Sequence, residues 1–461
     1  METGRLFFAD GLCGGESIGY APYSRFAFRC SDDEKKAIRN GNIQFVGHDL
    51  VEALDYYEVF NGNVADSAQS RRQLPDAKCP TGLMTILMTT RCSLKCIYCY
   101  ANAGGAVTVP MDAVQASVDV VSDEAVRAGA RALRVKIHGG GEPTVESGRL
   151  AEVVEYSRQR AIACGLKSWL GLTTNGVMPR EIAQWVSENF DAVTVSCDGI
   201  PSVQNTHRPM RIQSRQPSSE LATQTILALR ERDALRGIRA TVTSLSVSFM
   251  AESIRYFADL GVRRVNFEPV ALVGRAELSD LLPTAQGFVA GFADAKTIGD
   301  RSGVAVSYSG VSVCRLIPVH CGGYGSNFVL TPSGDISVCY EVFQPNHPLT
   351  KDFFVGSASG GRVVIDPQAV ARAQGNVPSE CSHCIAVAHC GGGCRARRLS
   401  ASPESIRSQA VKCAISAELI RRQLAELLSL SPVRYCRVPT TADVRIPRSM
   451  HTRVALTATP Y

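Results

Sequence analysis

A chain of 461 residues is about three times the ~150 residues of an average domain, so two or three folded units are expected. With 45% hydrophobic and 20% charged residues, the composition is that of a globular protein and excludes extended disorder and fibrous repeats. The net charge of +6 is small; residues 395–461 hold 12 Lys/Arg against 4 Asp/Glu, a basic face that suits an acidic partner but is too sparse for nucleic acid.

Residues 1–80 read as a small α+β module, either a lid or a peptide-recognition unit. Ser31-Asp32-Asp33-Glu34 carries the serine and glutamate of a capping box, which predicts a helix through 35–39 that ends at the Asn40-Gly41-Asn42 turn. A second short helix is expected over 49–57, with another turn at Asn61-Gly62.

From 81 to 300 the pattern alternates. Strands are expected at 83–88, 133–137, 169–174, 192–196, 238–243 and 265–267, and helices at 111–128, 148–164, 180–189, 220–232 and 251–260. Six such units argue for an α/β fold, a parallel sheet or a partial (β/α)6 TIM-like barrel, in which chemistry sits at the carboxyl ends of the strands. Residues 301–430 form a loop-rich unit with closely spaced cysteines and a closing helix over 404–430, and 431–461 form a basic tail.

Seventeen cysteines stand out. Residues 1–15 lack the basic start and apolar run of a secretory signal, and the longest apolar-rich stretch, 82–88, is far too short for a membrane span. A cytoplasmic location without membrane attachment is therefore expected, and there cysteines indicate metal or redox chemistry rather than disulfides. Cys92, Cys96 and Cys99 follow the first barrel strand directly. A structural zinc site normally closes with four protein ligands, whereas a [4Fe–4S] cluster on three cysteines leaves one iron open to another ligand.

The Cys-x3-Cys-x2-Cys loop, with Tyr98 before its last cysteine, resembles the cluster loop of the radical S-adenosylmethionine (radical SAM) enzymes. The resemblance implies a cluster whose open iron chelates SAM and whose electron yields a 5′-deoxyadenosyl radical that abstracts a hydrogen atom. It extends to Gly139-Gly140-Gly141-Glu142-Pro143, whose Gly140, Gly141 and Glu142 would face SAM, to Ser196 and Asp198 near the ribose, to Arg208 on the SAM carboxylate, and to Val270 after the sixth strand.

A second series runs Cys314, Cys321, Cys339, Cys381, Cys384, Cys390, Cys394 and Cys413. Its core Cys381-x2-Cys384-x5-Cys390-x3-Cys394 resembles the SPASM domain of peptide-modifying radical SAM enzymes, against the alternative of zinc-ribbon sites. By similarity to the anaerobic sulfatase-maturating members, Cys314, Cys321, Cys339 and Cys394 would hold one auxiliary [4Fe–4S] cluster. Cys381, Cys384, Cys390 and Cys413 would hold the other, making three in all. Cys13, Cys30, Cys79, Cys164, Cys197 and Cys436 remain as packing residues.

The resemblance implies an oxidoreductase that modifies or crosslinks a side chain of a ribosomally made precursor peptide or protein, with flavodoxin or ferredoxin as reductant. Sulfatase-maturating enzymes carry an aspartate after the third auxiliary cysteine; here Tyr340 and Glu341 follow Cys339, which disfavours formylglycine synthesis and leaves these two as candidate proton acceptors. The competing readings are a radical SAM oxidoreductase acting on a small molecule and a non-catalytic iron–sulfur or zinc scaffold.

Overall fold

The protein is described as a computed structural model covering residues 6–13, 15–60 and 82–443. The turn at Asn61-Gly62, Cys79 and the tail beyond residue 443 lie outside these residues.

The chain opens with three antiparallel strands, β1 (Phe7–Cys13), β2 (Glu16–Ala21) and β3 (Phe26–Cys30). Two helices follow, α1 (Asp32–Arg39) and α2 (His48–Tyr56). The capping box forms as expected, with the Ser31 hydroxyl accepting from the Glu34 amide and the Glu34 carboxylate accepting from the Ser31 amide. Phe26 and Phe28 pack against Ile38, Leu50 and Leu54 of the two helices, while Ile18 and Tyr20 enter the main core.

The alternating region builds parallel strands β4 (Leu83–Leu87), β5 (Ala132–His138), β6 (Lys167–Thr174), β7 (Ala192–Ser196), β8 (Leu235–Val242) and β9 (Arg264–Pro269). Between them run helices α3 (Met111–Arg127), α4 (Ser147–Ala163), α5 (Arg180–Asn189), α6 (Pro201–His207), α7 (Ser218–Glu231) and α8 (Met250–Asp259), and α9 (Ala285–Ser302) follows β9. Strand β5 shows why: Leu133, Val135 and Ile137 are buried on one face, while Arg134, Lys136 and His138 alternate on the other, only partly covered. A seventh parallel strand, β10 (Ala305–Ser307), joins β9; three residues with a polar end carry no periodic signal.

The cysteine-rich region continues this sheet rather than starting a separate one. β11 (Val329–Leu330) pairs parallel to β4, and β12 (Asp335–Ser337), β13 (Phe354–Ser359) and β14 (Arg362–Ile365) extend it antiparallel to eleven strands. The closing helix α10 (Pro403–Ser429) starts at a Ser402 cap. Beyond it, β15 (Tyr435–Arg437) pairs with β3, so the start of the basic tail belongs to the first sheet. Arg434 fastens it there with bonds to Glu34 and Asp49, both at 2.8 Å. Among the described residues no helix is long and apolar enough to cross a membrane.

Tyr20 ties the first sheet to the cysteine region. His389 lies 2.7 Å from the Arg315 carbonyl through Nδ1 and 2.7 Å from the Tyr20 hydroxyl through Nε2. A carbonyl only accepts, so Nδ1 carries the proton and Nε2 accepts from tyrosine. Burial lowers the His389 pKa to about 4, which keeps the ring neutral. Tyr20→Phe strands Nε2 in the core and is expected to cost about 1–3 kcal/mol. A denaturation midpoint equal to wild type would show that this bond contributes nothing.

Candidate functional site

The three-cysteine loop leaves the carboxyl end of β4 and is held by the chain around it. Lys95 N–H donates to the Pro209 carbonyl and Ile97 N–H to that of His207, each at 2.9 Å. Arg211 donates to the carbonyls of Cys92 (3.0 Å) and Leu94 (3.1 Å), and Arg275 donates to Cys96 (3.1 Å). Two guanidiniums thus fix loop carbonyls and leave the thiols free to act as ligands. Burial, then neighbouring negative charge, pushes the Cys92 thiol up to about 11. Burial pushes Cys96 up to about 12, with the charges of Cys99 and Cys92 adding to it and Arg208 opposing. Thiols held protonated in this way would gain from a bound cation or cluster, which deprotonates its ligands outright.

The glycine-rich segment after β5 lies against this loop. Gly141 N–H donates to the Thr89 carbonyl and Glu142 N–H to that of Arg91, both at 2.7 Å. A Cβ on Gly141 would stand 1.8 Å from the Arg91 carbonyl oxygen, and one on Gly140 would stand 2.6 Å from the Phe343 ring. Gly141→Ala is therefore expected to displace the loop at a cost of about 1–3 kcal/mol, seen as lost iron after anaerobic reconstitution. Full iron retention would show that the loop can yield. The Glu142 carboxylate is saturated, accepting from the Thr144 amide and hydroxyl, the Thr174 hydroxyl and the Asn175 amide at 2.6–3.2 Å. It pins the ends of β5 and β6 together and shapes the glycine turn.

Beyond β7, Ser196 is half-buried and Asp198 gathers four donors. Tyr98 hydroxyl and His207 Nδ1 (3.1 Å) meet one oxygen, while Arg208 (3.0 Å) and the Thr241 amide (2.8 Å) meet the other. Burial opposes the Asp198 charge, yet Arg208 and His207 outweigh it and hold the carboxyl well below the usual range. The Arg208 guanidinium lies 5.4 Å from the centre of the Tyr98 ring, and its Nε is buried without a hydrogen-bond partner. That orphaned donor is what a site for a carboxylate-bearing ligand requires. Val270 belongs to one buried cluster with Tyr98 and Leu272, against which Cys96 and Ile97 pack.

The second series falls into groups. Cys381, Cys384, Cys390, Cys394 and Cys413 line one cavity of about 50 Å³. Cys321 and Cys339 lie within electrostatic reach of Cys394; burial pushes Cys321 up to about 11 and holds Cys339 well above the ordinary thiol range, with the other thiols' charge adding to each. The segment carrying Cys314 is anchored by Arg25 on the Val313 carbonyl and Gln423 on the Val313 amide, and burial raises the Cys314 thiol against the opposing charge of Arg25. Among the described residues no three His, Cys, Asp or Glu side chains converge as one metal ion requires. Thiols lining a cavity suit a multi-iron cluster better than a single zinc.

Tyr340 and Glu341 stand between the two regions. Tyr340 bonds Thr85 at 3.2 Å and stacks on His138, with ring centres 5.6 Å apart, and Glu341 meets the half-buried Arg397 at 3.4 Å. Several residues here escaped sequence reasoning: Arg211, Arg275, His207, and Asn175, whose amide donates to Ser93 (3.2 Å) and the Cys92 sulfur (3.7 Å).

Residues 86–233 match the radical SAM superfamily. An uncharacterised protein of Methanocaldococcus jannaschii is 24% identical over 207 residues, 44% of this chain and 68% of that protein. Among solved structures, anSMEcpe with bound AdoMet superposes with a TM-score of 0.57 at 18% identity, covering 76% of this chain and all of that one, and it has also been solved with AdoMet and a peptide. SuiB of Streptococcus suis bound to precursor peptide SuiA gives 0.51 at 15% identity, covering 87% of this chain and 97% of that one. These likenesses establish the shared partial-barrel fold. The match over residues 86–233 is thus to the radical SAM superfamily, a likeness that implies a [4Fe–4S] cluster and S-adenosylmethionine.

Proposed function

We propose that this chain is a radical SAM maturase of the SPASM type that oxidises or crosslinks a side chain of a ribosomally made peptide or protein. In this reading residues 81–300 cleave SAM, 301–430 carry two auxiliary clusters, and 1–80 serve as a lid or as a peptide-recognition unit. One observation supports it: Cys92 and Cys99 of the first loop and Tyr340, next to Cys339, pack against one buried cluster that includes Leu87, Val329 and Phe343. When bound, the cluster on Cys92, Cys96 and Cys99 and its SAM supply a 5′-deoxyadenosyl radical.

The chain's own residues then have separable tasks. The Gly140-Gly141 turn, shaped by Glu142, brings backbone close to the methionine end of SAM. Ser196 and Val270 border the nucleoside, and Arg208, held by Asp198 and Tyr98, offers its free Nε to the SAM carboxylate. Tyr340 and Glu341 line the path between the centres and are the side chains placed to take a substrate proton. Cys321, Cys339 and Cys394, with Cys314 as fourth thiol by resemblance, belong to the inner auxiliary centre. Cys381, Cys384, Cys390 and Cys413 belong to the outer one. The peptides bound by the anSMEcpe and SuiB structures support a peptide as substrate, and flavodoxin or ferredoxin suits the reductant.

Iron, sulfide and zinc counted after anaerobic reconstitution test this reading together with 5′-deoxyadenosine release under dithionite. About twelve irons and twelve sulfides with little zinc are expected for three [4Fe–4S] centres. About four irons with zinc would reduce the carboxyl-terminal unit to a structural module. Mass spectrometry of short peptides encoded beside the gene, incubated with enzyme and SAM, would then identify the substrate.

A further inference from the structure

The thiols of the three proposed centres do not receive the same donors. In the SAM loop, Cys92 receives the neutral Asn175 amide at 3.7 Å. In the inner set, Cys321 receives the Gly323 backbone N–H at 3.4 Å. The outer set receives two side-chain donors: the Arg398 guanidinium reaches the Cys381 sulfur at 3.3 Å, and the Gln409 amide reaches that of Cys413 at 3.3 Å. Among the described residues, only the outer set has a full positive charge bonded to a sulfur.

Arg398 is held in that pose from both sides. Its Nε donates to the Gly392 carbonyl and one terminal nitrogen donates to Glu380 at 3.0 Å, leaving the other aimed at Cys381. Among the described residues Glu380 is the one carboxylate bonded to Arg398, and its side chain is 68% exposed, so water screens it more than it screens the contact with the buried Cys381. Donors and positive charge at cluster sulfurs favour the reduced, more negative state and raise the reduction potential.

We propose that Arg398 is a positioning residue that sets the reduction potential of the outer centre above that of the inner one, so that an electron entering the cysteine region comes to rest at the set containing Cys413, the exposed thiol. This rests on the two-cluster reading of residues 301–430.

The test is an EPR-monitored potentiometric titration of the reconstituted full chain, with iron counted in each sample. Arg398→Met is expected to keep its iron while the ratio of reduced to oxidised outer centre, at a fixed solution potential, falls at least tenfold. Arg398→Lys, which keeps the charge, is expected to restore most of that ratio, and Gln409→Leu to lower it by less than Arg398→Met does. Full iron in Arg398→Met with an unmoved potential would overturn the assignment. Loss of iron in that variant would make the arginine a scaffold for the loop and overturn it too. Wild-type protein lacking the outer cluster would instead sink the underlying reading, so the two failures are distinguishable.

Discussion

Replacing Cys92, Cys96 and Cys99 together with alanine is expected to abolish 5′-deoxyadenosine formation while removing only about four of about twelve irons. The two halves of this outcome have separate causes. SAM chemistry needs the open iron of a three-thiol cluster, and the loop that presents those thiols has no other cysteine to substitute. The carboxyl-terminal thiols are held by the β11–β14 extension, by Ser337 and the Arg395–Arg398 turn, and by α10, none of which takes its geometry from the thiols of the first loop. Iron analysis beside a chromatographic assay for the nucleoside reads both. Loss of all iron would contradict independent auxiliary centres, and residual nucleoside would place SAM cleavage elsewhere.

Asp198→Asn is expected to be the most damaging single substitution in the barrel, at about 3–5 kcal/mol, because it leaves the Arg208 guanidinium buried without its counter-charge. An asparagine amide nitrogen would also face the Tyr98 hydroxyl or His207, which are placed to donate. Since Tyr98 lies between Cys96 and Cys99, the cluster loop should loosen with it, and SAM affinity should fall along with the unfolding midpoint. The pH dependence has a definite sign. The folded pKa of Asp198 is depressed below its unfolded value, so its contribution is complete above the unfolded pKa and disappears only as pH falls through the folded one. Between pH 5 and 8 the gap between wild type and variant should therefore be constant. A gap that narrows within that window would point to a different titrating group.

How much of the site is legible in the sequence depends on how local each interaction is. The thiols of the first loop share eight residues, so their spacing alone indicates a compact centre. Glu142 is recognisable within its glycine-rich segment, but its donors include Thr174 and Asn175, more than thirty residues away, and these make it a pin between two strands. Arg211 and Arg275 carry no sequence signal, because each acts on loop carbonyls more than 100 residues distant. The strands β1–β3 are short and carry glycine and aspartate, and the sheet they form is completed by β15 from the far end of the chain. The expected group of Cys314, Cys321, Cys339 and Cys394 depends on a segment around Val313 whose anchors, Arg25 and Gln423, lie in other elements.

By itself, the sequence determined the likeness to the radical SAM superfamily, the alternating strands and helices, and the order of the motifs along them. Ligand spacing, strand–helix periodicity and helix caps are short-range properties written within a turn or a strand. Only the tertiary structure decided which side chains surround those motifs: the Asp198 pairing that immobilises Arg208, the continuation of the barrel sheet into the cysteine region, and the unequal donors at the three thiol sets. Those depend on which distant segments exclude water together, and a buried donor or charge must find its partner there, wherever in the chain that partner was encoded.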